Sequence, residues 1–124
     1  MKDRFVCVVT EAPASGHSLG LMLSLTGHPI AFFTDTDALL AFAELSKACA
    51  VISDIKNGGA VERDLARRLF ERLPSLPLYV IANCIFTRGA LLSAPANVTK
   101  IFDSPYSSEK LFEAISATCV CEDA

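Results

Sequence analysis

The chain has 124 residues, of which 52% are hydrophobic and 20% charged. Its length and composition predict one compact domain over residues 1–124, and its net charge of −3, without long single-sign runs, argues against a nucleic-acid surface. No apolar run approaches the ~20 residues of a membrane helix, and the first residues do not form a signal peptide. We therefore expect a cytoplasmic protein with no membrane segment.

Strand-like and helix-like segments alternate along the chain. Strand-like segments occupy five places: Arg4 to Thr10, Pro29 to Thr34, Ala48 to Ser53, Leu78 to Ile85 and Thr99 to Phe102. The first is a continuous apolar run of the kind typical of parallel strands covered on both faces, and the third and fourth are also apolar. Helical spacing follows each of them: from Ser18 to Thr26, through Leu45 after a cap at Asp35 or Thr36, from Glu62 to Leu73, from Arg88 to Leu92, and from Ser107 onward. This order predicts an α/β protein of (βα)₅ type, a doubly wound parallel five-stranded sheet with helices on both sides.

The five cysteines and two histidines suggest no metal or redox site. Cys7, Cys49 and Cys84 lie inside apolar runs and are predicted to be buried, reduced thiols. Cys119 and Cys121 lack the two-residue spacer of redox motifs and nearby zinc ligands, so we interpret them as incidental. His17 and His28 stand alone and are expected at the surface or at helix ends.

Acidic residues mark two of the loops where this class of fold binds ligands. Ligands gather beyond the carboxyl ends of the strands, near the switch point of the sheet. Glu11 follows the first predicted strand, and Asp54 ends the third.

Six segments resemble a known family in their order and spacing. They are Phe5 to Glu11, Leu25 to Leu39, Ala50 to Asp54, Leu76 to Ala82, Ser104 to Tyr106 and Glu109 to Leu111. Together they resemble, over almost the whole chain, the receiver domains of two-component response regulators. The resemblance implies a flavodoxin-like sheet of strand order 2-1-3-4-5. It also implies that Asp54 is the phosphoacceptor.

The resemblance further implies a degenerate active site. Glu11, Asp54 and the backbone carbonyl of Lys56 are the expected Mg²⁺ ligands, and binding should be weak because Thr10 replaces the first carboxylate of the acidic pair. Ala82 stands at the position of the hydroxyl that reports phosphorylation, and Ser104 at that of the phosphoryl-binding lysine.

The aromatic position of the fifth strand also departs from the family. Ile101 is aligned with it, and Phe102 lies beside it. Because side chains alternate along a strand, we expect Phe102 to pack into the core on the other face.

The leading hypothesis is a stand-alone receiver-like signalling protein, not an enzyme. Its expected partners are a histidine kinase or phosphotransfer protein and a downstream protein that contacts the face from Phe86 to Tyr106; a homodimer stays open. The alternative is a pseudo-receiver that acts without phosphorylation. A third reading, a flavodoxin-like protein that binds flavin mononucleotide, rests on the hydroxyl- and glycine-containing loop from Thr10 to Ser18, which could cradle a phosphate.

Overall fold

Five parallel strands form one sheet in the computed structural model, which describes residues 4–10, 19–43, 45–54, 59–82, 98–103 and 108–118. The strands are β1 (Phe5–Thr10), β2 (Ile30–Phe33), β3 (Ala48–Asp54), β4 (Leu78–Ala82) and β5 (Val98–Asp103). Their order is β2-β1-β3-β4-β5, and every neighbouring pair is parallel. The predicted fold class and strand order are confirmed.

Four helices are described around this sheet. They are α1 (residues 19–23, continued by the 3₁₀ turn Ser24–Thr26), α2 (Thr36–Leu40), α3 (Gly59–Arg72) and α4 (Ser108–Thr118). Asp35 is the N-cap of α2, because its Oδ1 accepts a hydrogen bond of 2.7 Å from the backbone N–H of Ala38. The helix predicted at Arg88 to Leu92 and the predicted last residues of strand four, 83–85, lie outside the described residues.

Helix α2 ends earlier than the sequence pattern predicts. The apolar spacing extends to Leu45, whereas the helix stops at Leu40 and a separate 3₁₀ turn, Leu45–Lys47, leads into β3. Phe42 explains the early end, because its ring lies 5.5 Å from that of Phe5 and 5.2 Å from that of Phe33, measured between ring centroids. Packing of this aromatic residue therefore overrides the local helical pattern.

Two hydrophobic clusters lie on opposite faces of the sheet. Cys7, Val9 and Val51 face a cluster that contains Leu39 of α2 and Leu65 of α3. The alternate residues of the same strands, Val6, Val8 and Ile52, face a second cluster with Leu19 and Leu23 of α1 and Leu111 and Ile115 of α4. All seven residues of β3 are buried, so this central strand is covered on both sides.

Two buried side chains near the amino edge of the sheet differ from the sequence-based prediction, one in its exposure and the other in its bonding. His28 is at a helix end, as predicted, but it is 5% exposed, and its Nδ1 lies 3.2 Å from the carbonyl oxygen of Arg4. Cys49 is buried as predicted but is disulfide-bonded rather than reduced. Pairing of cysteines depends on long-range placement, which the apolar run around Cys49 does not encode.

Candidate functional site

The last residues of β1 and β3 meet at the carboxyl edge of the sheet. Thr10 and Asp54 are register partners across the two parallel strands, which lie about 5 Å apart as hydrogen-bonded neighbours do. Thr10 is 7% exposed and Asp54 5% exposed. Carboxylates are seldom buried to this degree without a structural or functional reason, so Asp54 is the focus of the candidate site.

The sequence of β3 explains why Asp54 lies where it does. The strand reads Ala-Cys-Ala-Val-Ile-Ser before the aspartate, a run of small and β-branched residues that suits a fully covered central strand. Asp54 is therefore the first charged residue of this segment, and it lies where the strand ends. The switch point of a 2-1-3-4-5 sheet lies between β1 and β3, which is the location of Thr10 and Asp54.

The other predicted site residues are distributed as follows. Ala82 is the last residue of β4, the strand on the other side of β3, and its register partner in β5 is Asp103. Glu11, Lys56 and Ser104 lie outside the described residues, as does the face from Phe86 to Tyr106 apart from residues 98–103. Within the described chain, the site thus brings together Thr10 and Asp54, with Ala82 ending the adjacent strand.

The fifth strand behaves as its alternation predicts. Phe102 is 6% exposed and belongs to the cluster on the α1 and α4 side, where its ring centroid is 6.4 Å from that of Tyr79. Ile101 is half-buried and packs against the opposite cluster. Phe102 is therefore a core residue, and the aligned aromatic position is occupied by an aliphatic side chain.

Two buried hydroxyl groups near this region were missed by sequence reasoning. Ser53 precedes Asp54 and is fully buried, and Thr36 opens α2 and is 7% exposed. Neither hydroxyl oxygen has a hydrogen-bond partner among the residues described. A serine inside an otherwise apolar strand was the available signal, since buried hydroxyls normally find a partner.

No cluster of three or more metal-ligating side chains occurs within the described residues. Asp54 provides one carboxylate, which is a ligand type that Mg²⁺ prefers. Its register partner in β1 is Thr10, which does not provide a second carboxylate. The described part of the chain also contains no helix that is long and apolar enough to span a bilayer.

The doubly wound parallel sheet, with a buried aspartate at its switch point, places the protein in the class of flavodoxin-like α/β folds. Comparison with solved structures identifies more closely which flavodoxin-like folds this chain resembles. The receiver domain of nitrogen regulatory protein C superposes with a TM-score of 0.81 at 18% identity, covering 96% of each chain. A response-regulator receiver domain from Clostridium thermocellum gives 0.80 at 16% identity, with 94% of each chain covered.

A third structure, a putative response regulator from Chloroflexus aurantiacus, has a TM-score of 0.78 at 17% identity and covers 97% of this chain and 100% of its own. No protein-family model and no curated protein sequence matches the chain. The fold of this chain is that of response-regulator receiver domains.

Proposed function

We propose that this chain is a signalling receiver in which Asp54 accepts a phosphoryl group. The observation that supports it most directly is the position of Asp54, buried at the end of the central strand of a receiver fold. A histidine kinase or a phosphotransfer protein is the proposed donor. The chain acts in the cytoplasm through protein contacts, with no reaction of its own on a small-molecule substrate.

The chemistry required of Asp54 is nucleophilic. A carboxylate oxygen attacks the phosphorus atom, an O–P bond forms, and the P–N bond to the donor histidine breaks with its electron pair passing to the imidazole nitrogen. Burial of Asp54 limits the access of water to the acyl phosphate that results.

Asp54, Glu11 and the Lys56 carbonyl would hold Mg²⁺, which when bound neutralises charge on the transferring group. The proposed affinity is weak, because Thr10 contributes a hydroxyl where a carboxylate would strengthen the site. Because metal binding would be weak, the position of the Asp54 carboxylate would be determined mainly by the backbone of β3.

A second candidate is an interaction module that works without phosphorylation. Thr10 beside Asp54, and Ala82 at the end of β4, favour it, because neither supplies the carboxylate or the hydroxyl that a phosphorylation switch uses. Both candidates act through a protein partner, for which we propose the face from Phe86 to Tyr106.

One experiment separates the two candidates. The purified chain is incubated with Mg²⁺ and acetyl phosphate and its intact mass is measured, with Asp54→Asn as the matched variant that keeps the shape of the side chain. A mass increase of one phosphoryl group in the wild type alone, removed by hydroxylamine, is the expected result. No increase, or an equal increase in Asp54→Asn, overturns phosphoacceptance by Asp54 and leaves the interaction module.

A further inference from the structure

The edge strand β2 lacks the residues that usually prevent a sheet edge from pairing with another chain. Among the described strands, β2 has β1 as a neighbour on one side only. The strand at the opposite edge, β5, contains Lys100 and Asp103, whereas β2 reads Ile-Ala-Phe-Phe and contains neither a charged residue nor a proline. Charged side chains and prolines commonly protect sheet edges, so β2 is the edge that can accept another strand.

The hydrogen bonding between β2 and β1 identifies the backbone groups of β2 that face outward. The backbone N–H of Val6 donates a hydrogen bond of 3.0 Å to the carbonyl oxygen of Pro29, so the polar groups of Pro29 face β1. The N–H and C=O of one residue in a strand point to the same side, and successive residues alternate between the two sides. Ala31 therefore also faces β1, whereas the N–H and C=O groups of Ile30 and Phe32 face away from it.

The side chain of Phe32 makes this edge apolar. The residue is 48% exposed, although it belongs to a strand. Its ring lies against Gly20 of α1, where a Cβ atom would be 2.5 Å from Cζ of the ring, so the helix supports the ring on one side and leaves about half of it in solvent. Ile30, two residues earlier on the same face of β2, packs against the cluster that α1 covers. The edge thus presents an aromatic and a β-branched side chain next to each other.

A second copy of the chain supplies a strand that matches this edge. A two-fold axis through Ala31 would pair the two β2 strands in antiparallel orientation, with Ile30 opposite the partner's Phe32. Both residues with outward-facing polar groups would then lie in hydrogen-bonded pairs, which exchange two hydrogen bonds each. Ala31 would meet its own copy in a non-hydrogen-bonded pair, where the Cα atoms are only about 4.5 Å apart and a small side chain fits. Pairs of an aromatic and a β-branched residue across strands are favourable.

The charges beside β2 favour antiparallel over parallel pairing. Asp35 lies just beyond the carboxyl end of the strand, and the nearby side chain of Asp37 is 83% exposed. The amino end lies beside Arg4, whose carbonyl oxygen is 3.2 Å from Nδ1 of His28. Parallel pairing would bring the two acidic ends together. Antiparallel pairing instead places the acidic end of each copy beside the basic amino end of the other, so the charges are complementary.

We propose that the chain forms a weak two-fold dimer in which the β2 strands pair in antiparallel orientation about Ala31 and join the two sheets into one. The contact is small because β2 has four residues, and small interfaces are typical of transient association. The fraction of dimer should therefore rise with protein concentration. The surface is at the opposite edge of the sheet from β5 and is separated from Asp54 by β1, so dimerisation does not depend on phosphorylation of Asp54.

Sedimentation velocity over a series of protein concentrations in reductant tests the association. We expect the sedimentation coefficient of the wild type to rise with concentration toward that of a dimer. Phe32→Lys should remain monomeric at every concentration, because it replaces the apolar contact with a charge at the sheet edge. Phe70→Lys is the matched control, since Phe70 is also a partly exposed aromatic residue, 39% exposed, but lies on α3. It should associate like the wild type.

A cysteine cross-link tests the register. In Ala31→Cys the two new thiols would face each other across the two-fold axis, at a Cα separation that a disulfide can span. In Thr34→Cys the new thiol would lie opposite the partner's His28 and should not link to its own copy. Under mild oxidation, non-reducing electrophoresis should therefore show a covalent dimer for Ala31→Cys above the background of the wild type, and no such increase for Thr34→Cys.

Amide hydrogen exchange tests the same pairing in the wild-type chain, without any variant. Exchange at Ile30 and Phe32 should slow as concentration rises, whereas exchange at Ala31 should change less, because its N–H already faces β1. A wild type that stays monomeric at all concentrations, equal association of Phe32→Lys, or equal cross-linking of the two cysteine variants would overturn the proposal. Circular dichroism confirms that each variant is folded, and Asp54→Asn should dimerise like the wild type whether or not Asp54 accepts phosphate.

Discussion

Thr10 and Asp54 are register partners at the carboxyl ends of β1 and β3, so the residue paired with the buried aspartate across these two strands carries a hydroxyl rather than a second carboxylate. This pairing sets the charge available for a cation. It also makes the position of Thr10 the most direct place to alter that charge.

Replacing Thr10 by aspartate should strengthen Mg²⁺ binding by about tenfold or more, since affinity for hard cations rises with the number of carboxylate ligands. Without metal, Thr10→Asp should lower the melting temperature, because two neighbouring buried carboxylates repel each other. Calorimetric titration and thermal unfolding with and without Mg²⁺ measure both effects. Thr10→Asn is the neutral control, and equal Mg²⁺ affinity in the two variants would contradict the prediction.

Cys7 should make the protein less stable at alkaline pH. Burial raises the pKa of its thiol from 9.0 to about 12. Below pH 9 the thiol is neutral in both states; above it the unfolded chain loses the proton that the folded chain retains, so stability falls as pH rises toward 12, by at most ~1.4 kcal/mol per pH unit. Urea unfolding in reductant should show a shallower alkaline decline for Cys7→Ala, and parallel curves for the two proteins would refute this.

Asp35 and Asp37 form a matched pair at the start of α2. Asp35→Ala removes the N-cap hydrogen bond to Ala38 and should cost about 1 kcal/mol of unfolding free energy. Asp37→Ala removes an ion pair of 2.9 Å with Arg68, but its side chain is 83% exposed, so the loss should be smaller and should fade at high salt. Chemical denaturation at two salt concentrations compares them, and a larger cost for Asp37→Ala would be inconsistent with this ranking.

Gly20 and Phe32 should be energetically coupled. A Cβ atom on Gly20 would lie 2.5 Å from Cζ of Phe32, so the half-exposed ring would have to move. In the Phe32→Ala background that obstacle is absent, and Gly20→Ala should stabilise α1 by up to ~1 kcal/mol through helix propensity alone. The double-mutant cycle measures the difference. Additive effects would show that the ring and the helix do not interfere.

Much of the architecture could be predicted because β1, β3 and β4 are mainly apolar runs that alternate with helical patterns. The same pattern predicts Asp54 at the end of the central strand, since the first charged residue after an apolar run marks the end of that run. Alternation along β5 is enough to place Phe102 on the face of the sheet where it packs.

The predictions from sequence are wrong where contacts between residues far apart in the sequence determine the structure. Helix α2 stops before Phe42 because the Phe42 ring packs against the rings of Phe5 and Phe33, which belong to other elements of the fold. His28 is buried, and the Arg4 carbonyl that lies 3.2 Å from its Nδ1 is 24 positions away in the sequence. The bond of Cys49 likewise depends on a residue far along the chain, which no local pattern encodes.

The complete burial of β3 has a consequence for large-scale mutagenesis. In a deep mutational scan that selects only for folded protein, positions 48–54 should all tolerate few substitutions, charged ones least of all. A depleted position in this strand would therefore carry no functional information by itself. Only near-isosteric replacements, such as Asp54→Asn or Cys49→Ser, would distinguish a functional role of a residue in this strand from its contribution to folding.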